Sequence, residues 1–452
     1  MLINNPILQM KKMITLSRTF EIFDPIYGSM TFSNAARIII NKPEFQRLRY
    51  LKQLATCYLV FPSANHTRFS HSLGTYHLVD KFMTSLYANS NIDDIIDCFE
   101  KISELDKYRS VSEICSEVGP EVGPKVGPKV GPKISKSYDL DKISELVKIA
   151  GLCHDIGHGP YSHLFDDYFL KPKISTEFVH HEFRSTYLIK HIIENDPILS
   201  EQFTKSDIKF IQNLIDPEST HNGFIYQIVS NSLNGIDMDK FDYLTRDAYH
   251  LGMDLGFDYK KIIKSGIVID DEICYPIWGF KHLESLFEAR KRLHKLIVNH
   301  PTIISSQHLV NSMLEEVNNH INIISNIEKI DFFNTLTDEY ITSFVNSLTI
   351  MGKREMLSST LIAYTKQFAN REFKKFHKII HSDNILDNLI STYSETKYEI
   401  YNATYGYNNN PNFNPLTKIQ LYDVIDGQPA KVENHFVFGI NHISYVYIIY
   451  EK

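Results

Sequence analysis

The chain has 452 residues, 43% of them apolar and 12% aromatic, which provides for a large core and excludes a disordered protein. Its net charge of −7 and pI near 6.3 weigh against a broad nucleic-acid footprint, leaving only a local basic patch open. No apolar run is long enough to span a bilayer, and five cysteines without a C-x-x-C pair fit a reduced compartment, so a soluble intracellular protein of cytoplasm or nucleus is expected, with no membrane partner.

Residues 1–20 read as an N-terminal extension without the basic-then-apolar pattern of a secretory signal. Phe23-Asp24-Pro25-Ile26-Tyr27-Gly28 marks a turn. Asn41 and Pro43 open a helix whose apolar stripe is Phe45, Leu48 and Leu51, with arginines on the other face. On its own this would be an ordinary basic amphipathic helix. The polar loop Pro62–Thr67 then delivers Arg68 and His71, three apart, to one face of a new helix.

Residues 117–133 hold four copies of a tetrapeptide, Val-Gly-Pro followed by Glu or Lys. Gly and Pro at this spacing defeat both helix and ladder, so an extended insertion without chemistry is expected. Leu140, Ile143, Leu146, Val147 and Ala150 recur at helical spacing, and Gly157 with Gly159-Pro160 ends that helix. His154 and Asp155 fall in its last turn, with His158 and His163 beyond it. Three histidines and an aspartate within ten residues, in an apolar setting, point to a divalent metal. Imidazole and carboxylate donors suit Mn, Fe, Zn or Mg.

Asp166 follows, and His181 opens another amphipathic helix, either exposed or serving as acid or phosphate contact. In Ile236–His250, Asp239, Tyr243 and Asp247 lie at i, i+4 and i+8 on one face, flanked by Lys240. Such a row is either a solvated stripe or a site for metal, phosphate and sugar hydroxyl. A helix over 281–300 carries Arg290 and His294, four apart. The pattern stays helical to about residue 400, and Val437–Tyr450 is strand-like.

His71, His154-Asp155 and Asp239 resemble the H…HD…D signature of HD-domain metal phosphohydrolases. Arg68–Gly74, Gly151–His163 and Asn234–Tyr243 are similar to the SAM-and-HD-domain dNTP triphosphohydrolases, with a weaker echo at Asn441–Ser444. The resemblance implies a mainly α fold: an HD-domain helical core over 21–300 and a small C-terminal α+β lobe over 301–452. It leaves no stretch for a SAM domain and implies a shortened C-terminal lobe. It implies a divalent metal on His71, His154, Asp155 and Asp239, and hydrolysis of a dNTP to deoxynucleoside and inorganic triphosphate. Arg68, Lys240 and Arg290 would clamp the triphosphate. His163, oriented by Asp166, would protonate the leaving oxygen, and His158 and His181 would contact phosphate. Gln53, Tyr243 and Asp247 would hold the sugar 3′ hydroxyl, Leu54 would crowd the 2′ position, and His294 would complete the substrate site.

Such relatives are homo-oligomers, so a dimer or tetramer is expected. Gln46 and Arg49 persist from their allosteric nucleotide site. Asn41 replaces the aspartate that reads guanine, and basic positions near Pro276 and Trp278 are lost, so weak or absent GTP activation is expected. Val298 stands where those relatives carry a tyrosine beside the sugar, which loosens steric exclusion of ribonucleotides. Two further readings are open: an HD phosphohydrolase acting on a nucleotide monophosphate or nucleic-acid end, and a non-catalytic nucleotide-binding scaffold.

Overall fold

A computed structural model describes residues 19–114, 133–382, 398–407, 413–436 and 444–451. Most of the N-terminal extension, the Val-Gly-Pro repeat except Lys133, and Asn441–Ile443 lie outside these described residues.

Three helices meet at the centre. Helix α1 (Arg68–Asn89) is packed by α2 (Leu140–Cys153) and by the later α4 (Met238–Leu251). Helix α1 is buried on nearly all sides from Arg68 to Val79, so it has no solvated face there. Leu73, Val79 and Phe82 of α1, Ile143, Leu146 and Val147 of α2, and Phe241 and Leu244 of α4 form the shared core. Each such side chain contributes about 1.5–3 kcal/mol on burial. Gly74 sets how closely α1 and α4 approach: a Cβ there would lie 2.7 Å from Asp242 Cγ. Asp139 caps α2 by accepting from Lys142 N–H, and Asp237 caps α4 by accepting from Lys240 N–H. The Asp237 cap fixes the end of α4 from which Asp239 projects, while His154 stands at the opposite, C-terminal end of α2.

Helix α3 (His181–Asn195) follows the motif loop, and α5 (Phe280–Leu293) runs into a π-helical turn at His294–Val298. Helix α6 (Pro301–Ile321) starts with Pro at its first turn, capped by the His300 imidazole. The apolar core runs without a break from Met30 to Leu421.

The sheets are peripheral. Strands β1 (Phe20–Asp24) and β2 (Gly28–Phe32) form a hairpin around the predicted Pro-Gly turn. Strands β3 (Arg109–Ile114) and β4 (Lys133–Tyr138) pair antiparallel, so the repeat connects two bonded strands. A four-stranded sheet joins β5 (Ile267–Ile269), β6 (Glu272–Pro276), β9 (Gln420–Ile425) and β10 (Gln428–Val432), with β6 and β9 parallel. Strand β11 (Ser444–Glu451) lies between β7 (Phe376–Ser382) and β8 (Tyr398–Tyr405), as its β-branched and aromatic composition predicts. The fold is mainly α with a small β-containing C-terminal part.

Three expectations need correction. The helix opened by Pro43 stops at Gln46, and Arg47–Tyr50 is a 3-10 turn. The cause is Arg47, which is not solvated: it is 3% exposed and its guanidinium bonds the carbonyls of Leu336, Ile156 and His158. The 281–300 helix changes winding at His294. Among the described residues the last α-helix ends at Asn370 and β7 follows, so the helical pattern does not continue unbroken to about residue 400. Among the described residues, no helix is long and apolar enough to cross a membrane.

Candidate active site

His71 comes from the first turn of α1, His154 from the end of α2, Asp155 from the residue after it, and Asp239 from the first turn of α4. Their donor atoms converge. His71 Nε2 lies 2.9 Å from Asp239 Oδ1, 3.2 Å from His154 Nε2 and 3.5 Å from Asp155 Oδ2. His154 Nε2 lies 3.3 Å from Asp239 Oδ1 and 3.4 Å from Asp155 Oδ1.

The other imidazole nitrogens fix the rings. His154 Nδ1 is 2.8 Å from the Gly151 carbonyl, which can only accept, so Nδ1 carries the hydrogen. His71 Nδ1 is 2.7 Å from Asp242 Oδ2. Asp242 is itself held by Arg246, whose Nε and Nη2 each lie 3.0 Å from a carboxylate oxygen. Arg246 Nη1 reaches Asp24 on β1 at 2.9 Å. The two Nε2 atoms therefore face each other. Two bare lone pairs or two N–H groups would repel at that distance, so the geometry calls for one positive charge between them. Two imidazoles and two carboxylates fit a borderline or hard divalent ion, and the bonds at Nδ1 are the orientation such ligands use.

The electrostatics agree. Burial alone would lower the His71 pKa, but Asp239 and Asp242 outweigh it and push it up to about 10. Burial would raise Asp155 and Asp239. Arg68 and His154 instead hold Asp155 well below its usual value, and His154 and His71 do the same for Asp239. The carboxylates are thus kept ionised, as metal ligands must be.

A cavity of about 600 Å³ opens over this cluster. His154, Asp155, Asp239, His158, His163, His181, Arg68, Gln53, Leu54, Tyr243, Asp247, Arg290 and His294 line it, so thirteen of the predicted residues face one space. Lys240 borders an adjoining cavity of about 480 Å³, which Arg290 also lines. Gln46 and Arg49 lie outside both: Arg49 Nε donates to Gln46 Oε1 at 2.8 Å, and its guanidinium stacks 3.5 Å over Phe69.

His158 stacks on His181 with ring centroids 3.7 Å apart, and His163 meets both edge-on at 5.1 and 5.3 Å. The expected His163–Asp166 pairing does not form. Asp166 Oδ2 bonds His181 Nδ1 at 3.0 Å and Oδ1 bonds Arg184, so Asp166 orients His181. The reason is Arg184, which rises from α3 one turn after His181 and draws the carboxylate toward that helix. Burial, His181 and Arg68 lower the His163 pKa, in that order. Burial, then Arg68, holds His158 well below its usual value. Arg68 bonds Asp155 through Nη1 and Ser162 Oγ through Nε at 2.9 Å, so it neutralises a metal-site carboxylate as well as facing the cavity.

Sequence reasoning missed several participants. Asp242 sits three residues after Asp239, one turn along the same helix, and that spacing was the available signal. Ser162 lies inside the motif itself. His66, whose Nε2 is 2.6 Å from Asp247 Oδ1, sits in the quoted loop before Arg68. Arg184 and Asp338 carry no local signal.

The chain matches the HD domain family over residues 109–247. It is 34% identical over 368 residues to an HD domain-containing protein of Acanthamoeba polyphaga mimivirus, covering 81% of this chain and 70% of that one. It is 32% identical over 368 residues to the deoxynucleoside triphosphate triphosphohydrolase SAMHD1 homolog of Dictyostelium discoideum, covering 80% of this chain and 61% of that one. It is 34% identical over 309 residues to deoxynucleoside triphosphate triphosphohydrolase SAMHD1 of Homo sapiens, covering 62% and 41%. The chain thus spans less than two thirds of the length of these two triphosphohydrolases.

Proposed function

Because the chain belongs to the HD-domain family and has deoxynucleoside triphosphate triphosphohydrolases among its relatives, we propose that it hydrolyses dNTPs to deoxynucleoside and inorganic triphosphate. The observation that carries the proposal is that His71 Nε2 lies 2.9–3.5 Å from Asp239, His154 and Asp155, just behind a cavity that these three residues line together with Arg68 and Arg290. His71, His154, Asp155 and Asp239 would hold a divalent ion, which would supply Lewis-acid polarisation of a phosphate oxygen and lower the pKa of water.

The remaining chemistry belongs to the chain. Arg68, Arg290 and Lys240 bind the triphosphate, and three cations match its charge better than they match a monophosphate. Water attacks the α-phosphorus and releases one proton to solvent, the bond from that phosphorus to the 5′ oxygen breaks, and the 5′ oxygen takes a proton from His163 Nε2 or Nδ1, which solvent then restores. Burial, then His181 and Arg68, lowers the His163 pKa; the arriving polyanion raises its proton affinity and arms it as an acid. His158 and His181 donate to phosphoryl oxygens, with Asp166 and Arg184 fixing His181. Gln53, Tyr243 and Asp247 bind the 3′ hydroxyl, Leu54 excludes a 2′ hydroxyl, and His294 packs beside them.

The test is product chromatography on dNTP, NTP, dNMP and oligonucleotide substrates with Mn or Mg. Deoxynucleoside plus tripolyphosphate is the expected pair, and release of a nucleoside monophosphate refutes the proposal.

A further inference from the structure

Tyr161 and Ser162, immediately before His163, both adopt left-handed backbone conformations, with φ of 59° and 60°. Neither is glycine, and each such residue costs about 1–3 kcal/mol unless its surroundings enforce it. The enforcing group is Asp338, 177 residues away and only 6% exposed. Its Oδ1 accepts from Tyr161 N–H at 2.6 Å and its Oδ2 from Lys52 N–H at 2.7 Å. Its carbonyl accepts from Tyr161 O–H at 2.6 Å, and its own N–H donates to the Tyr50 carbonyl at 3.3 Å. Ser162 continues the chain of bonds: Oγ accepts from Arg68 Nε at 2.9 Å and donates to the Lys52 carbonyl at 3.2 Å.

We propose that Asp338 is a positioning residue for catalysis, aligning the turn that delivers His163, the loop that delivers Gln53 and Leu54, and the Arg68 guanidinium. This rests on the dNTP hydrolase reading above. A carboxylate is required because both of its oxygens face backbone N–H donors. An Asn at this place, or a protonated Asp, points an N–H or O–H at one of them and releases one arm of the clamp.

The groups facing Asp338 are Lys52 and Arg68 as cations, with Tyr58, Tyr161, Glu339 and Arg47 around them. Burial raises the carboxyl, the two backbone bonds and the cations oppose that, and the pKa comes to about 6. Asp338 therefore changes protonation within an ordinary assay range.

The experiment compares wild-type protein with Asp338→Asn on one dNTP from pH 5 to 8, following kcat, KM, metal content and melting. At pH 8 the variant is expected to lose about 10²-fold in kcat, the cost of misplacing a catalytic group by roughly 1 Å, with KM and metal content held. The ratio of variant to wild-type kcat should rise toward unity as pH falls through about 6. Titrations shared by both proteins, metal ligands included, cancel in that ratio. A pH-independent ratio, or equal kcat at pH 8, overturns the inference while leaving the hydrolase reading intact. Wild-type protein that releases no triphosphate overturns both. If Asp338→Asn does not fold, Tyr161→Phe is used: it removes one bond to Asp338, and a fall in kcat of about 10-fold with KM held is expected. Unchanged kcat in that variant overturns the inference.

Discussion

Replacing Asp242 with Asn tests whether the orientation of His71 matters for metal binding. The carboxylate is fully buried and accepts from His71 Nδ1 at 2.7 Å and from two nitrogens of Arg246 at 3.0 Å each. Asn keeps the shape but can satisfy only one side. If its oxygen stays on Arg246, its amide turns N–H toward His71 Nδ1, which must then accept. The proton moves to Nε2, and His71 loses the lone pair it offers the metal. Loss of such a supporting bond weakens metal binding about 10- to 100-fold. That removes about 1.4–2.7 kcal/mol of metal-dependent stabilisation at a fixed excess of ion. Arg246 keeps Asp24 at 2.9 Å, so it is not left wholly unpaired. The apo protein should lose about 3 kcal/mol, the low end for a broken buried ion pair. At about 2.1 cal/mol/K per residue this is a Tm decrease of roughly 3 °C. Calorimetric Mn titration and melting with and without Mn measure both parts. A variant that binds Mn as tightly as wild type would refute the role assigned to Asp242.

Four other outcomes follow. His163→Ala should lower kcat by about 10²–10⁴-fold with metal content unchanged, because proton donation to the leaving oxygen is lost; single-turnover assays check this. Gly157→Ala should destabilise the fold by about 1–3 kcal/mol and reduce activity, since a Cβ would lie 2.8 Å from the Arg184 carbonyl carbon and closer still to His181 and Ser185 backbone; melting and activity report it. Val298→Tyr should sharpen preference for dNTP over NTP by about 10-fold, as Val298 lines the cavity in which the proposed sugar contacts lie; paired kcat/KM values decide. GTP titration with oligomer mass followed alongside should show weak activation at most, because Arg49 is already stacked on Phe69 and bonded to Gln46.

Much of the site is legible in the sequence, and physical reasons separate what is from what is not. His154, Asp155, His158 and His163 crowd one helix end, and Asp239, Tyr243 and Asp247 share a helical face, so local spacing reveals them. Helix α2 announces itself by apolar periodicity and α4 by a polar row on one face, whereas α1, buried on nearly all sides, shows little alternation. Arg47 looks solvated in sequence because its burial depends on carbonyls at Ile156, His158 and Leu336, all more than a hundred residues away. Asp338 is invisible for the same reason: nothing near it in sequence says that its partners are Tyr161 and Lys52. The misassigned partner of Asp166 is a competition between two neighbours, and Arg184 wins through charge. The parallel pairing of β6 with β9 joins segments some 145 residues apart, beyond the reach of local pattern.

Hydrolysis of a dNTP in heavy-oxygen water, with mass spectrometry of both products, tests the central assignment most directly. Attack at the α-phosphorus places the heavy oxygen in triphosphate and leaves the deoxynucleoside unlabelled. Label in the nucleoside, or a labelled nucleoside monophosphate, would contradict the account.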